Sequence, residues 1–133
     1  MQCPCHSGLS YAECCEPYHI GKEFPESALQ LMRSRYSAYA TKSADYIIKT
    51  THPENSSFSA NKDDWKESIL FFCNRTTFRG LRIIEVLEGT QESFVTFFAH
   101  LLQNGKDVSF QETSHFYKVK DRWLYHSGTP ERP

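Results

Sequence analysis

Four of the five cysteines in this chain fall in one short stretch, CPCHSGLSYAECC, running from Cys3 to Cys15. The pattern is C-x-C, eight intervening residues, then C-C. Thiols this close together could pair as disulfides, hold a metal or do redox chemistry. In a reducing compartment, clustered cysteines bind metal more often than they pair. Two short pairs flanking a small loop suit a tetrahedral thiolate site, because zinc takes four soft ligands at about 2.3 Å without strain. Ser7 and Gly8 fit the reversal after the first pair: glycine accepts positive φ, and the hydroxyl can bond nearby amides. Those amides can also face the sulfurs and offset their charge. Tyr11 then begins a short turn that delivers Cys14 and Cys15.

A second chemical pattern sits near the other end, in FQETSHFYKVK. As a strand, it points Phe110, Glu112, Ser114 and Phe116 to one face and Gln111, Thr113, His115 and Tyr117 to the other. A carboxylate on an apolar face must be paired or protonated, since burying an isolated charge is too costly. The expected partners lie on the first long helix, whose apolar stripe includes Arg35 and whose flank carries Arg33. An Arg–Glu112 ion pair bordered by Ser114, Tyr36 and Trp123 would make a polar patch inside an apolar concavity. The alternative puts Glu112 at a sheet edge in water, and both readings stay open. Cys73 belongs elsewhere. Trp65, Ile69, Phe72 and Cys73 recur at helical spacing, so this thiol is expected to be buried and inert.

The elements that must hold these groups are legible in outline. The connector EPYHIGKEFP carries Gly21 and two prolines, and Pro25 suits a helix's first turn. ESALQLMRSRYSAYA follows, with Ala28, Leu31, Met32, Arg35 and Tyr39 on one stripe and Leu29 and Tyr36 beside it. Ser43 is the expected N-cap of a short helix through ADYIIKT, which His52-Pro53 ends. After the polar loop ENSSFSANK, Asp63 and Asp64 suit the start of a third helix that reaches Asn74. From Gly80 the period changes. LRIIEVLEG, SFVTFFAHLL, VSFQETSHFYKVK and RWLYHSG read as strands separated by Gly89, Asn104-Gly105 and Lys120-Asp121. Helices followed by adjacent strands predict an α+β layer: a curved antiparallel meander with helices on one face.

Composition narrows the function classes. At 133 residues the chain can bury one core without disulfides. A formal charge of −1 argues against general nucleic-acid binding, which needs a basic surface. No apolar run reaches membrane-spanning length. The N-terminus starts at Met1 and lacks the basic, apolar and cleavage segments of a secretory signal, so a cytoplasmic protein is expected. Asn55-Ser56-Ser57 and Asn74-Arg75-Thr76 then match the glycosylation pattern by chance.

The thiol stretch closely resembles the SEC-C motif, known from the tail of the SecA translocase motor: C-x-C-x-S-G, a tyrosine, then C-C or C-H. The resemblance implies Cys3, Cys5, Cys14 and Cys15 as the ligands of one structural zinc, with His6 and His19 as bystanders. Four protein ligands leave no open position, so the ion is expected to be a staple rather than a catalyst.

A second resemblance covers nearly the whole chain. LMRSRYSAY, DYIIKTTHP, the E-x-S-x-F of Glu112, Ser114 and Phe116, and RWLYHSG are similar to the YchJ-like family of small bacterial proteins. That family implies a SEC-C segment, here residues 1–20, before a nuclear-transport-factor-2-like domain, here residues 25–130. The implied fold is three helices against a bent sheet enclosing a cone-shaped pocket. This sequence departs from the family at Thr51, where tryptophan is usual, and at His115, where arginine is common.

Two functions follow as expectations. The first is a binding or adaptor protein whose zinc knuckle docks a protein, with a chaperone or the ribosome implied by the SEC-C resemblance; the alternative is a zinc that only pins the N-terminus. The second is a small-molecule binder, or an isomerase or hydratase, using the pocket. Glu112 would be its base, with Arg33, Arg35, Tyr36 and Ser114 orienting a substrate and His100 or His115 moving protons. Binding is preferred to catalysis. A homodimer through the outer sheet face is permitted by the aromatic strands, and neither a specific nucleic acid nor a membrane is expected as partner.

Overall fold

The structure, a computed structural model, describes residues 1–131. The N-terminal segment holds a 3-10 turn, Tyr11–Glu13, and a one-turn helix α1, Glu16–His19. Helix α2 spans Ala28–Ala40, α3 spans Ala44–Lys49 and α4 spans Lys62–Asn74. Helix α2 starts after Pro25, not around it, because the Ser27 hydroxyl accepts from the Gln30 amide and fixes the first turn there. Asn61 caps α4 in the same way through the Asp64 amide, and Asp63 and Asp64 occupy the first turn. Ser43 stands at the start of α3 but turns its hydroxyl to Thr41, 2.8 Å away, rather than to the helix.

Five strands follow: β1 Thr76–Leu87, β2 Glu92–Gln103, β3 Lys106–Asp107, β4 Phe110–Val119 and β5 Arg122–Glu131. They form an antiparallel meander in the order β1-β2-β4-β5, with the two-residue β3 pairing only with β2. The β1 strand begins before Gly80, which marks an irregularity inside it rather than its first residue. Two tight reversals use paired positive φ, Asn104 with Gly105 and Lys120 with Asp121, the backbone that matches strand twist. Register shifts in β1 and between β4 and β5 bend the sheet.

The concave face carries the core. Leu31, Ala38, Ile47 and Ile69 from the helices meet Val95, Phe97, Leu101, Phe116 and Trp123 from the strands, and Cys73 is buried among them. Burial pushes the Cys73 thiol up, as a structural cysteine requires. The segment after α3 is stitched to the last strand: the Tyr125 amide donates to the Thr50 carbonyl and the His52 amide to the Tyr125 carbonyl, both at 2.8 Å. Among the described residues no helix is long and apolar enough to cross a membrane.

Candidate metal centre and adjoining chamber

The N-terminal reversal is tight. His6 and Gly8 both take positive φ (62° and 90°), and the Cys3 amide returns to the Leu9 carbonyl at 2.9 Å. Ser7 works as its spacing suggests, its hydroxyl accepting from the Leu9 amide and lying 3.2 Å from the Cys14 sulfur. The fold thereby brings the Cys3, Cys5, Cys14 and Cys15 sulfurs within 4.8 Å of one another. Cys5 and Cys14 are 3.6 Å apart, Cys14 and Cys15 3.8 Å, and no cysteine is in a disulfide. Four sulfurs around an ion at about 2.3 Å stand about 3.8 Å from each other, so donor type and spacing fit a tetrahedral thiolate centre.

The electrostatics point the same way. Thiol donors, Cys15 foremost, pull Cys5 down to about 4 against its burial. Burial pushes Cys14 up to about 11, and the hydrogen bond to Cys5 together with burial pushes Cys15 well above its usual range. Ionising Cys14 and Cys15 beside Cys5 is therefore costly in the bare cluster. A divalent cation would supply the charge that lets the others ionise.

This knuckle is tied to α2. Arg33 Nη1 donates to the Cys5 carbonyl at 2.9 Å, so Arg33 belongs to the knuckle contact and not to the pocket. Its position two residues from Arg35 puts it on another side of the helix. His19 is the second tie. Its Nε2 lies 2.8 Å from the Ser34 carbonyl and must carry the proton, leaving Nδ1 to accept from the Tyr11 hydroxyl at 2.6 Å. Burial, the larger effect, lowers the His19 pKa, so the ring docks neutral. A base depressed in the folded state contributes stability that is full above its unfolded value, near 6.5, and is lost as pH falls towards the folded one. Docking of the segment is therefore expected to weaken as pH falls below about 6.5. Comparing His19→Gln with the parent by hydrogen exchange above and below that pH checks this, since the variant should lose the histidine share of the slope.

Beneath α2 lies an open chamber of about 490 Å³. Arg35, Tyr36, Glu112 and Ser114 line it together with Phe97, Phe110, Phe116 and Tyr125. The alternation read in β4 holds: Phe110, Glu112, Ser114 and Phe116 all face inward, and Glu112 is not a solvent-edge residue. Trp123 is not in the lining; it is buried elsewhere in the core, with its indole N–H donating to the Glu26 carbonyl at 3.3 Å.

The expected Arg–Glu112 ion pair does not form. Glu112 instead accepts from Ser114 at 2.6 Å and from the Tyr125 hydroxyl at 3.1 Å. Arg35 is 8% exposed and reaches the end of α3, donating to the Ile47 carbonyl and to the Thr50 and Thr51 hydroxyls at 3.1, 2.8 and 3.1 Å. The last turn of a helix presents partial negative charge, which competes well for a guanidinium. Tyr125 stands between the two charges, its ring 4.7 Å from the guanidinium and its hydroxyl on the carboxylate. Burial foremost, then the Glu112 charge, pushes the Tyr125 phenol up and keeps it a donor. Tyr36 donates to the Gly80 carbonyl at 2.9 Å and is pushed up to about 12 by burial.

Two residues escaped the sequence reading. Tyr125 lies two positions from Trp123 on the same strand, a period that would have found it. Gly128 gave no signal in the sequence: a Cβ there would collide with the Glu112 carboxylate, so only glycine leaves that group its place. The two candidate proton carriers are elsewhere. His100 is exposed on β2, and His115 lies on the outer face against Glu92 at 2.5 Å.

The chain has clear relatives. Residues 2–17 match the SEC-C motif, and residues 27–128 match the family described as YchJ, middle NTF2-like domain. A UPF0225 protein of Serratia proteamaculans is 37% identical over 98% of this chain and 84% of its own length. One of Actinobacillus succinogenes is 41% identical over 98% and 83%. The solution structure of a SEC-C motif containing protein from Rhodopseudomonas palustris is 33% identical and has a TM-score of 0.85, covering 99% of this chain and 100% of that one. With a SEC-C segment followed by an NTF2-like α+β domain, the chain belongs to the YchJ (UPF0225) family.

Proposed function

We propose that this protein is a zinc-stapled binding protein whose chamber takes a small, largely apolar ligand with a polar head that meets Glu112. One observation carries the reading: Glu112 and Arg35 stand apart around an open space instead of filling it with an ion pair. Aromatic walls with a few convergent polar groups are the usual composition of such sites. Zinc is assigned to the knuckle because four clustered thiols with tetrahedral spacing suit that ion, and a closed shell leaves it structural. Binding is preferred to turnover because, among the described residues, no histidine lines the chamber with Glu112.

Gly128→Ala tests the chamber. The added methyl should displace the carboxylate from Ser114 and Tyr125, a disturbance on the order of 1–3 kcal/mol. A ligand-observed NMR screen of small aromatic and aliphatic amines, amides and acids against the metal-loaded protein should yield binders that weaken about tenfold or more in the variant. An empty screen, or binders indifferent to the substitution, would remove the reading.

The adaptor role stands as a second reading, favoured by a specific feature. Met1 and Leu9 are 83% and 54% exposed on the two arms of the knuckle that the Gln2–Ser10 bridge joins. Recovery of a chaperone or ribosomal protein that depends on Leu9 and on intact cysteines would support docking; recovery unaffected by either substitution would dismiss it.

A further inference from the structure

On the convex side of the sheet, away from the cysteines, we infer a second metal site: His52, Glu54 and His126 form a two-histidine, one-carboxylate triad for a first-row divalent transition-metal ion. One ligand atom from each lies within 4.8 Å of the other two. Two imidazoles select nickel, copper or zinc over magnesium or calcium, which prefer oxygen donors alone.

The backbone places these groups on fixed supports. The register between β4 and β5 passes from His115–Ser127 to Phe116–Tyr125, leaving His126 as the extra residue of a bulge. Bulges re-aim a side chain, and this one carries an imidazole. The Asn55 side-chain amide holds the bulge by donating to the His126 carbonyl at 2.7 Å. His52 is fixed beside it by its amide bond to Tyr125, and the Asn55 amide closes the intervening turn onto the His52 carbonyl at 2.9 Å. Glu54 projects from that turn.

Donor geometry is consistent with uptake. His126 Nε2 lies 3.2 Å from Glu54 Oε1, and its Nδ1 is 2.9 Å from the Ser127 hydroxyl. An ion would replace the shared proton at Nε2, while Nδ1–H donates to Ser127 and orients the ring. His52 Nδ1 accepts from the Glu54 amide at 3.0 Å, so that nitrogen is the unprotonated one, and an ion taken there would displace this hydrogen bond. The His52 and His126 rings are 5.0 Å apart. Three protein ligands, the carboxylate among them exposed, leave positions for water, so this ion would exchange, unlike one held by four thiolates.

Calorimetric titration of Ni²⁺ into the full chain with its cysteine site already loaded with zinc tests the assignment. One further equivalent is expected, with paramagnetic broadening of amide signals confined to residues 52–55 and their neighbours on β5. His52→Ala/His126→Ala should weaken it at least about tenfold, and His100→Ala, at an exposed histidine elsewhere, should not. A chain that takes up no nickel beyond its bound zinc, or a double variant with a native-like amide spectrum and undiminished uptake, would show the triad to be hydrogen-bonded surface pairs only.

Discussion

Removing the ion, by chelation or by Cys14→Ser/Cys15→Ser, is expected to melt the N-terminal segment while the α+β domain keeps its fold. The segment has almost no core of its own: Cys3, Cys5 and Cys15 are its buried apolar residues, with Tyr11 and Cys14 packed against them. An apolar cluster that small cannot offset the entropy of ordering about twenty residues, at roughly 1–2 kcal/mol each. Metal binding supplies the difference, and in small zinc modules its apparent free energy is about 10–16 kcal/mol. The domain has its own core running from Ala28 to Trp123, and from the knuckle it would lose the Arg33 and His19 hydrogen bonds, the His6–Tyr36 ring contact and the packing of Tyr18 at the core's margin. Amide spectra check this directly. Signals of residues 1–20 should collapse to unstructured positions while those of 27–128 persist. An unchanged spectrum after complete metal removal would contradict it.

Arg35→Met is the second substitution with a large expected effect. One guanidinium nitrogen serves three acceptors, and the charge stacks on Tyr125, so α2, the end of α3 and β5 meet at this side chain. Methionine keeps the volume and loses every polar contact. Thr50 and Thr51 still donate to the Tyr46 and Ile47 carbonyls at 2.7 and 2.6 Å, which limits the damage. The cost is expected to be about 3 kcal/mol, since hydrogen bonds to a charged group contribute roughly 1.5–3 kcal/mol. Thermal unfolding should show this as a fall on the order of 10 °C. Arg33→Met, which removes one bond to the Cys5 carbonyl, should cost about a third as much. Equal effects of the two would overturn the assignment of Arg35 as the interior junction.

These two arginines also mark where the sequence is informative. Helical stripes, strand alternation and the cysteine spacing are local signals, and each recurs in the fold close to its expected place. The choice of partner for a buried charge is not local. Arg35 had two acceptor systems available, a lone carboxylate and a helix end, and only the three-dimensional arrangement decides between them. Arg33 and Arg35 were both open as partners of Glu112, Arg35 on the apolar stripe and Arg33 on its flank, yet one faces the knuckle and the other the chamber. Strand period likewise allowed both Trp123 and Tyr125 as lining residues, and the sheet's bend selects Tyr125. Gly128 was invisible because its role is to be absent where Glu112 needs room.

The meander topology has a consequence for the growing polypeptide. The sulfurs come from the first fifteen residues, and the groups on α2 that hydrogen-bond the knuckle lie between Arg33 and Ser37. Tyr125 and Gly128, which position the chamber's carboxylate, lie on the last strand. Translation therefore delivers the whole cysteine cluster early and a complete cavity only when synthesis is nearly done, so a nascent chain stalled before Arg122 would carry all four clustered thiols but lack the wall that places Glu112.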